Sequence, residues 1–149
     1  MVDTEYAIGL LSKEGFTISP NPEEAEIIAI NTCAFIQPAT EESLDTIMEF
    51  IPYKQKNCRL LVVTGCLVER YKESLASLIP EVDLWIGTGA YSRLPRLILT
   101  ALREKKSGAK SLGQVCLDRP GWLAPPGVHR PLSTGGHMAY VKIAEGCDN

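Results

Sequence analysis

Residues 27–33 read IIAINTC and residues 60–66 read LLVVTGC, and these two stretches decide the fold. Each is a short apolar run that ends in polar or small residues and then a cysteine. Such runs are typical of strands that are buried on both faces of a parallel sheet. A helical pattern of apolar residues follows each run, so strand and helix alternate, as in proteins whose parallel sheet is covered by helices.

The same alternation extends from the start of the chain to about residue 106. The patterns predict helices at residues 2–14, 37–51, 67–80 and 91–106, and a third strand at residues 83–89. Pro95 is expected either in the first turn of the last helix, where its missing N–H has no cost, or at a break in that helix. The predicted fold class is therefore α/β, a three-layer, open, mostly parallel sheet with flanking helices.

The composition changes after residue 106. Residues 107–138 are rich in proline and glycine, which favours turns and extended segments over a packed core, with a short strand near residues 115–117. Residues 139–149 then return to an alternating apolar pattern. We predict an α/β domain at 1–106, a linker at 107–138, and at 139–149 the first strand of a further domain.

Bulk properties restrict the class of protein. The net charge is −3, so direct nucleic-acid binding by this chain is not expected. No apolar run reaches the roughly 20 residues that a membrane helix requires, and no signal peptide opens the chain. We therefore expect a cytoplasmic protein without membrane contact.

The five cysteines differ in their positions relative to the strands. Cys33 and Cys66 each follow a predicted strand, and ligands of open parallel sheets bind beyond the carboxyl ends of the strands. Thiolates bind iron and zinc, although a cytosolic cysteine is more often simply packed in the core. Cys58 begins its strand and is expected to be structural, Cys116 is interpreted as incidental, and Cys147 alone is weak support for a site.

Five blocks of sequence together carry a family resemblance. In chain order they are VDTEYAIGLL, INTCAFIQPATEESLDTI, VTGCLVERY, VDLWIGTGAYSRLP and AYVKIAEGCDN. They resemble the methylthiotransferase family of radical S-adenosylmethionine enzymes. Within the family, the nearest branch is similar to enzymes that add a methylthio group to an aspartate of a small-subunit ribosomal protein.

The resemblance implies cofactors, partners and site residues. It implies two [4Fe–4S] clusters, S-adenosylmethionine and an electron donor protein. Cys33 and Cys66 match ligands of the first cluster, whose third ligand is missing here. Cys147 matches the first ligand of the radical cluster, whose other two ligands are missing. The resemblance thus implies a chain truncated at both ends, starting without the family's first strand and ending within the radical domain, and we expect no turnover from it alone.

Two alternatives remain open from the sequence. A related branch of the same family methylthiolates adenosine in tRNA, and the region that best separates the branches lies outside this chain. A second alternative is a metal-free binding module of flavodoxin-like shape. Its support is the turn at Gly87 and Gly89, which could cradle a phosphate, although a lone Gly-x-Gly pattern more simply gives a tight turn.

Overall fold

The computed structural model describes residues 2–108, 113–119, 130–132 and 138–140. None of the helices in these ranges is long and apolar enough to cross a membrane. The elements, in two groups, are the helices α1 (Val2–Lys13), α2 (Gln37–Phe50), α3 (Cys66–Tyr71), α4 (Glu73–Leu78) and α5 (Leu94–Lys106), and the strands β1 (Ile27–Thr32), β2 (Leu60–Gly65), β3 (Leu84–Ile86) and β4 (Gln114–Cys116). Short 3₁₀-helices cover Ile51–Gln55 and Thr88–Arg93.

The four described strands form one parallel sheet in the order β1-β2-β3-β4. The register of β1 on β2 runs from Ile27 opposite Leu60 to Thr32 opposite Gly65. Parallel neighbours need a crossover between them, and the helices supply it. The predicted α/β class with a parallel sheet and flanking helices is confirmed.

Two apolar clusters, one on each face of the sheet, hold the three layers together. On one face, Ile47 of α2, Leu67 of α3 and Leu75 of α4 pack against the sheet. On the other face, Ala7 of α1 and Ile98 of α5 pack against it. Every residue of β2 is buried, as expected for a central strand covered by helices on both sides.

The first strand departs from the expected burial. Ile28, Ile30 and Thr32 are buried, whereas Ala29 and Asn31 on the other face of β1 are exposed. The prediction that this run is buried on both faces is therefore wrong for β1. The reason is its place at the edge of the described sheet, where the helices of the second face cover it incompletely.

The predicted helix at 67–80 is two helices. Lys72 separates α3 from α4 with a φ of 47°, which is uncommon for a residue with a side chain. No glycine or proline marks this break, so the periodicity of the apolar residues could not predict it. The predicted helix at 91–106 begins as a 3₁₀-helix and becomes α-helical at Leu94, with Pro95 in the first turn, one of the two positions expected for it.

The short strand expected near residues 115–117 is present as β4, which pairs with β3. Cys116 belongs to this strand and is buried in the core, so the interpretation of this cysteine as incidental is corrected to a packing role. β4 lies inside the predicted linker. The division into 1–106, 107–138 and 139–149 stays a prediction, because most of the residues after 119 lie outside the described ranges.

A buried carboxylate ties the amino ends of the strands together. Asp83, just before β3, accepts a hydrogen bond from the Leu61 N–H at 2.8 Å and forms ion pairs with Lys54 at 2.8 Å and Lys105 at 2.7 Å. Its side chain is only 5% exposed. Because an unpaired buried carboxylate is costly, both lysines and the amide are needed to satisfy it.

Candidate functional site

Cys33 and Cys66 leave the sheet side by side. Cys33 directly follows Thr32 of β1, and Cys66 directly follows Gly65 of β2. Thr32 and Gly65 are register partners in the sheet, so both cysteines lie at the carboxyl ends of adjacent strands. Both are exposed. We call this part of the molecule, formed by Cys33, Cys66 and the strand ends before them, the cysteine edge.

Close backbone approach fixes the spacing at the cysteine edge. Gly65 has a φ of 109°, and a Cβ atom placed on it would lie 2.3 Å from the carbonyl oxygen of Thr32. Only glycine fits this conformation and this space. In addition, the Thr32 hydroxyl donates a hydrogen bond to the Thr64 carbonyl at 2.6 Å. These features hold the ends of β1 and β2 tightly against one another.

The turn that carries Cys33 is held by two helices. Ser43 of α2 accepts a hydrogen bond from the Cys33 N–H at 3.0 Å and donates one to the Cys33 carbonyl at 2.9 Å. Arg70 of α3 donates a hydrogen bond to the carbonyl of Ala34 at 2.8 Å. Since α3 begins at Cys66, the Arg70 contact joins the helix of one cysteine to the turn of the other.

A shallow depression of about 220 Å³ lies beside Cys33. Its lining combines the end of β1 with polar positions of α2: Ile30, Asn31, Cys33, Ala39, Glu42, Ser43 and Thr46. The Asn31 side chain also receives a hydrogen bond from the Tyr91 hydroxyl at 2.8 Å and donates one to the Thr4 hydroxyl at 2.9 Å. The start of α1 is thereby attached to the same edge of the sheet.

The other three cysteines are placed differently. Cys58 and Cys116 are buried, and burial raises the pKa of both thiols above the ordinary value, which disfavours the thiolate that metals require. The structural role predicted for Cys58 agrees with this position. Cys147 lies outside the described residues, so its predicted role as a cluster ligand stays a prediction. The ligand roles of Cys33 and Cys66 also stay predictions, now with their positions known.

The cysteine edge offers thiol donors, which soft metals prefer, but only two of them within the described part of the chain. Two exposed cysteines provide thiolate donors of the kind that bind iron–sulfur clusters. Across the described ranges, no group of three or more His, Cys, Asp or Glu side chains comes together. The described residues therefore offer two thiol donors at the cysteine edge, without a third His, Cys, Asp or Glu side chain grouped with them.

The turn at Gly87 and Gly89 is filled by protein. A Cβ atom on Gly87 would lie 2.2 Å from a carboxylate oxygen of Glu69, and one on Gly89 would lie 2.4 Å from the Asp118 carbonyl. The Gly89 N–H donates its hydrogen bond to the Glu69 carboxylate at 3.3 Å. Protein atoms thus fill the space beside both glycines, and the Gly89 N–H already donates to a carboxylate, which argues against phosphate binding by this turn.

Sequence reasoning also missed a buried ion pair that involves the predicted linker. The Glu5 carboxylate of α1 is 3% exposed and lies 3.2 Å from Nε of Arg130, within the predicted linker. The Arg130 guanidinium also lies over the Tyr6 ring at 5.5 Å and donates a hydrogen bond to the Tyr140 carbonyl at 2.8 Å. The two charges are 125 positions apart in the sequence, which explains why no local pattern could reveal this pair.

Comparison with known proteins agrees with the sequence resemblance. A protein named ribosomal protein uS12 methylthiotransferase RimO from Caldicellulosiruptor saccharolyticus is 42% identical over 149 residues, which cover all of this chain and 33% of that protein. Proteins of the same name are 43% identical in Geobacter sulfurreducens and 42% identical in Clostridium tetani, each with 32% of its length covered. The chain thus spans about a third of the length of these curated relatives.

The family assignment rests on a match over the sheet domain. The family model described as "Uncharacterized protein family UPF0004" matches residues 1–87. This region contains both strands of the cysteine edge and both exposed cysteines. Because the matched residues make up more than half of the 149-residue chain, the chain belongs to the UPF0004 family.

Proposed function

We propose that this chain is part of a radical S-adenosylmethionine methylthiotransferase, in which Cys33 and Cys66 bind one [4Fe–4S] cluster. The substrate would be an aspartate of a small-subunit ribosomal protein, and the setting the cytoplasm, with an electron donor protein as partner. The observation that carries the proposal is the placement of two exposed cysteines after register partners of adjacent strands. The name of the relatives supports the substrate class.

The cysteine edge has features suited to this role. The protein holds two thiol-bearing residues at neighbouring strand ends, where an exposed position leaves access for a cluster and for substrate. Cys33 and Cys66 would hold such a cluster, and a cluster with fewer protein ligands than irons would supply an open iron position for exogenous sulfur. In this proposal Cys33 and Cys66 bind and orient the cluster. Gly65 and Thr32 keep the ends of β1 and β2 at a fixed spacing.

Cys147 belongs to the proposal as a ligand of a second cluster that binds S-adenosylmethionine. Its support is the resemblance of residues 139–149 to the start of a radical domain. The relatives are about three times as long as this chain, so the remaining ligands of both clusters are proposed to lie in residues outside it. Turnover is accordingly expected only from a protein that contains them.

Anaerobic reconstitution with iron and sulfide tests the ligand assignment on this chain. Iron is counted and the absorption spectrum recorded for the wild-type chain, for Cys33→Ser and for Cys66→Ser. Cys116→Ala is the matched control, because this thiol is buried in β4. We expect each serine variant to lose most of the bound iron and the control to retain it.

Two outcomes contradict the proposal. Iron binding that is unchanged in both serine variants would remove Cys33 and Cys66 as ligands. A loss of iron in Cys116→Ala equal to that in the serine variants would show that the binding is not specific to the cysteine edge. Circular dichroism of each variant shows separately whether the fold is intact.

A further inference from the structure

Ser43 makes an unusual pair of contacts with Cys33. Its single hydroxyl accepts a hydrogen bond from the Cys33 N–H at 3.0 Å and donates one to the Cys33 carbonyl at 2.9 Å. Ser43 is a residue of α2 and is 8% exposed, so water competes little for these bonds. A hydroxyl group has one proton to donate, and here that proton is used on the backbone of the cysteine.

The Ser43 contact takes over the backbone hydrogen bonding of Cys33 where the pairing of β1 with β2 ends. The pairing of β1 with β2 ends at Thr32 and Gly65, so Cys33 lies beyond the last paired residue of the described sheet. Without Ser43, both backbone groups of Cys33 could reorient toward water. With Ser43, the N–H and the carbonyl on either side of the Cys33 Cα atom are fixed to the same side-chain atom, which restricts the direction in which the thiol leaves the backbone.

A second contact, from α3, supports the same turn. The Arg70 guanidinium donates to the carbonyl of Ala34 at 2.8 Å, and Arg70 belongs to the helix that begins at Cys66. Both α2 and α3 therefore hydrogen-bond to the turn after β1. Of the two contacts, only that of Ser43 acts on the cysteine itself.

We infer that Ser43 is a positioning residue, which orients the Cys33 thiol so that Cys33 and Cys66 can bind one thiophilic group together. The inference rests on the proposed function, because it assumes that the two thiols share a ligand. It also makes a separate prediction: loss of the hydroxyl should weaken binding that needs both thiols, and it should leave the reactivity of each exposed thiol nearly unchanged.

The experiment compares two reagents on the full 149-residue chain with the Cys147→Ser substitution, so that this further cysteine does not compete. Phenylarsine oxide requires two thiols on one arsenic, whereas iodoacetamide alkylates one thiol at a time. We expect Ser43→Ala to bind the arsenical about tenfold more weakly. Site-resolved alkylation of Cys33 and Cys66 should change less than twofold.

Thr46→Ala is the matched control. Thr46 lies one turn further along α2 and lines the same depression, but its hydroxyl donates to the Glu42 carbonyl at 2.7 Å, within the helix. This variant should bind the arsenical like the parent chain. Equal weakening in Ser43→Ala and Thr46→Ala would assign the effect to α2 in general and overturn the inference.

The remaining outcomes separate the inference from the proposed function. If the parent binds the arsenical and Ser43→Ala binds it equally well, the positioning role is wrong and the two-cysteine site stands. If the parent does not bind it, the site itself is wrong and the inference fails with it. Hydrogen exchange gives a test that needs no substitution at Ser43. The Cys33 N–H should exchange slowly, although Cys33 lies after the last paired residue of β1. Exchange at the rate of a free amide would contradict the Ser43 contact.

Discussion

Replacing Gly65 with alanine tests how closely β1 and β2 approach at the cysteine edge. The backbone of Gly65, with φ 109° and ψ −164°, lies in a region that is nearly restricted to glycine and costs other residues about 1–3 kcal/mol. The new Cβ atom would also lie 2.3 Å from the Thr32 carbonyl oxygen, so backbone must move. Overpacking of this kind costs about 1–3 kcal/mol. We expect a total loss of about 2–6 kcal/mol in the free energy of unfolding.

Gly15→Ala separates the two contributions. Gly15 also has a positive φ, +86°, but no atom of the described residues lies within 4 Å of the position that a Cβ atom would take there. Gly15→Ala should therefore lower the unfolding free energy only by the cost of the positive φ, about 1–2 kcal/mol. Urea unfolding followed by circular dichroism measures both variants. If Gly65→Ala loses no more than Gly15→Ala, the tight approach of the two strand ends is refuted.

Two other predictions concern stability. Asp83→Ala should lower the unfolding free energy by about 1–3 kcal/mol, because the buried Leu61 N–H loses its acceptor and Lys54 and Lys105 lose their carboxylate. Asp83→Asn should cost less, because its amide oxygen still accepts. Equal urea midpoints of wild type and Asp83→Ala would contradict this prediction. Burial raises the pKa of Cys58 and Cys116, so their contribution to stability is fully present below the unfolded thiol pKa of about 8.5 and is lost as the pH rises through the raised folded values. Above about pH 9, the unfolding free energy should fall by up to about 1.4 kcal/mol per pH unit for each thiol. The variant with both Cys58→Ala and Cys116→Ala should show a shallower fall of the unfolding free energy with pH. Identical pH dependence of the two proteins in urea unfolding would contradict the raised thiol pKa values.

The local sequence pattern predicted most of the sheet but not its irregular parts. Apolar runs ending in Cys33 and Cys66 located β1 and β2, because a strand buried in a sheet needs a continuous apolar segment. The break at Lys72 was not predictable, since no residue there forces a positive φ. The exposure of Ala29 and Asn31 was also missed, because it depends on which strand is at the edge of the sheet.

For the candidate site, the sequence likewise predicted the position of the cysteines but not the contacts that support them. The position of each cysteine after a strand indicated that the two would share an edge, since parallel strands bring their carboxyl ends together. The supports of that edge come from tertiary contacts. Ser43 reaches Cys33 from ten residues away, and Arg70 reaches Ala34 from 36 residues away, so neither contact has a signature in the sequence.

Controlled oxidation gives the most direct test of the central claim, that the thiols of Cys33 and Cys66 converge. The chain with Cys147→Ser is treated with diamide under native conditions, and the products are mapped by peptide mass spectrometry. Disulfides form where Cα atoms are about 4.4–6.8 Å apart, a spacing that the ends of adjacent strands provide. We predict one intramolecular disulfide between Cys33 and Cys66, with Cys58 and Cys116 left reduced. Recovery of Cys33 and Cys66 as separate thiols, or their pairing with the buried cysteines instead, would contradict the account.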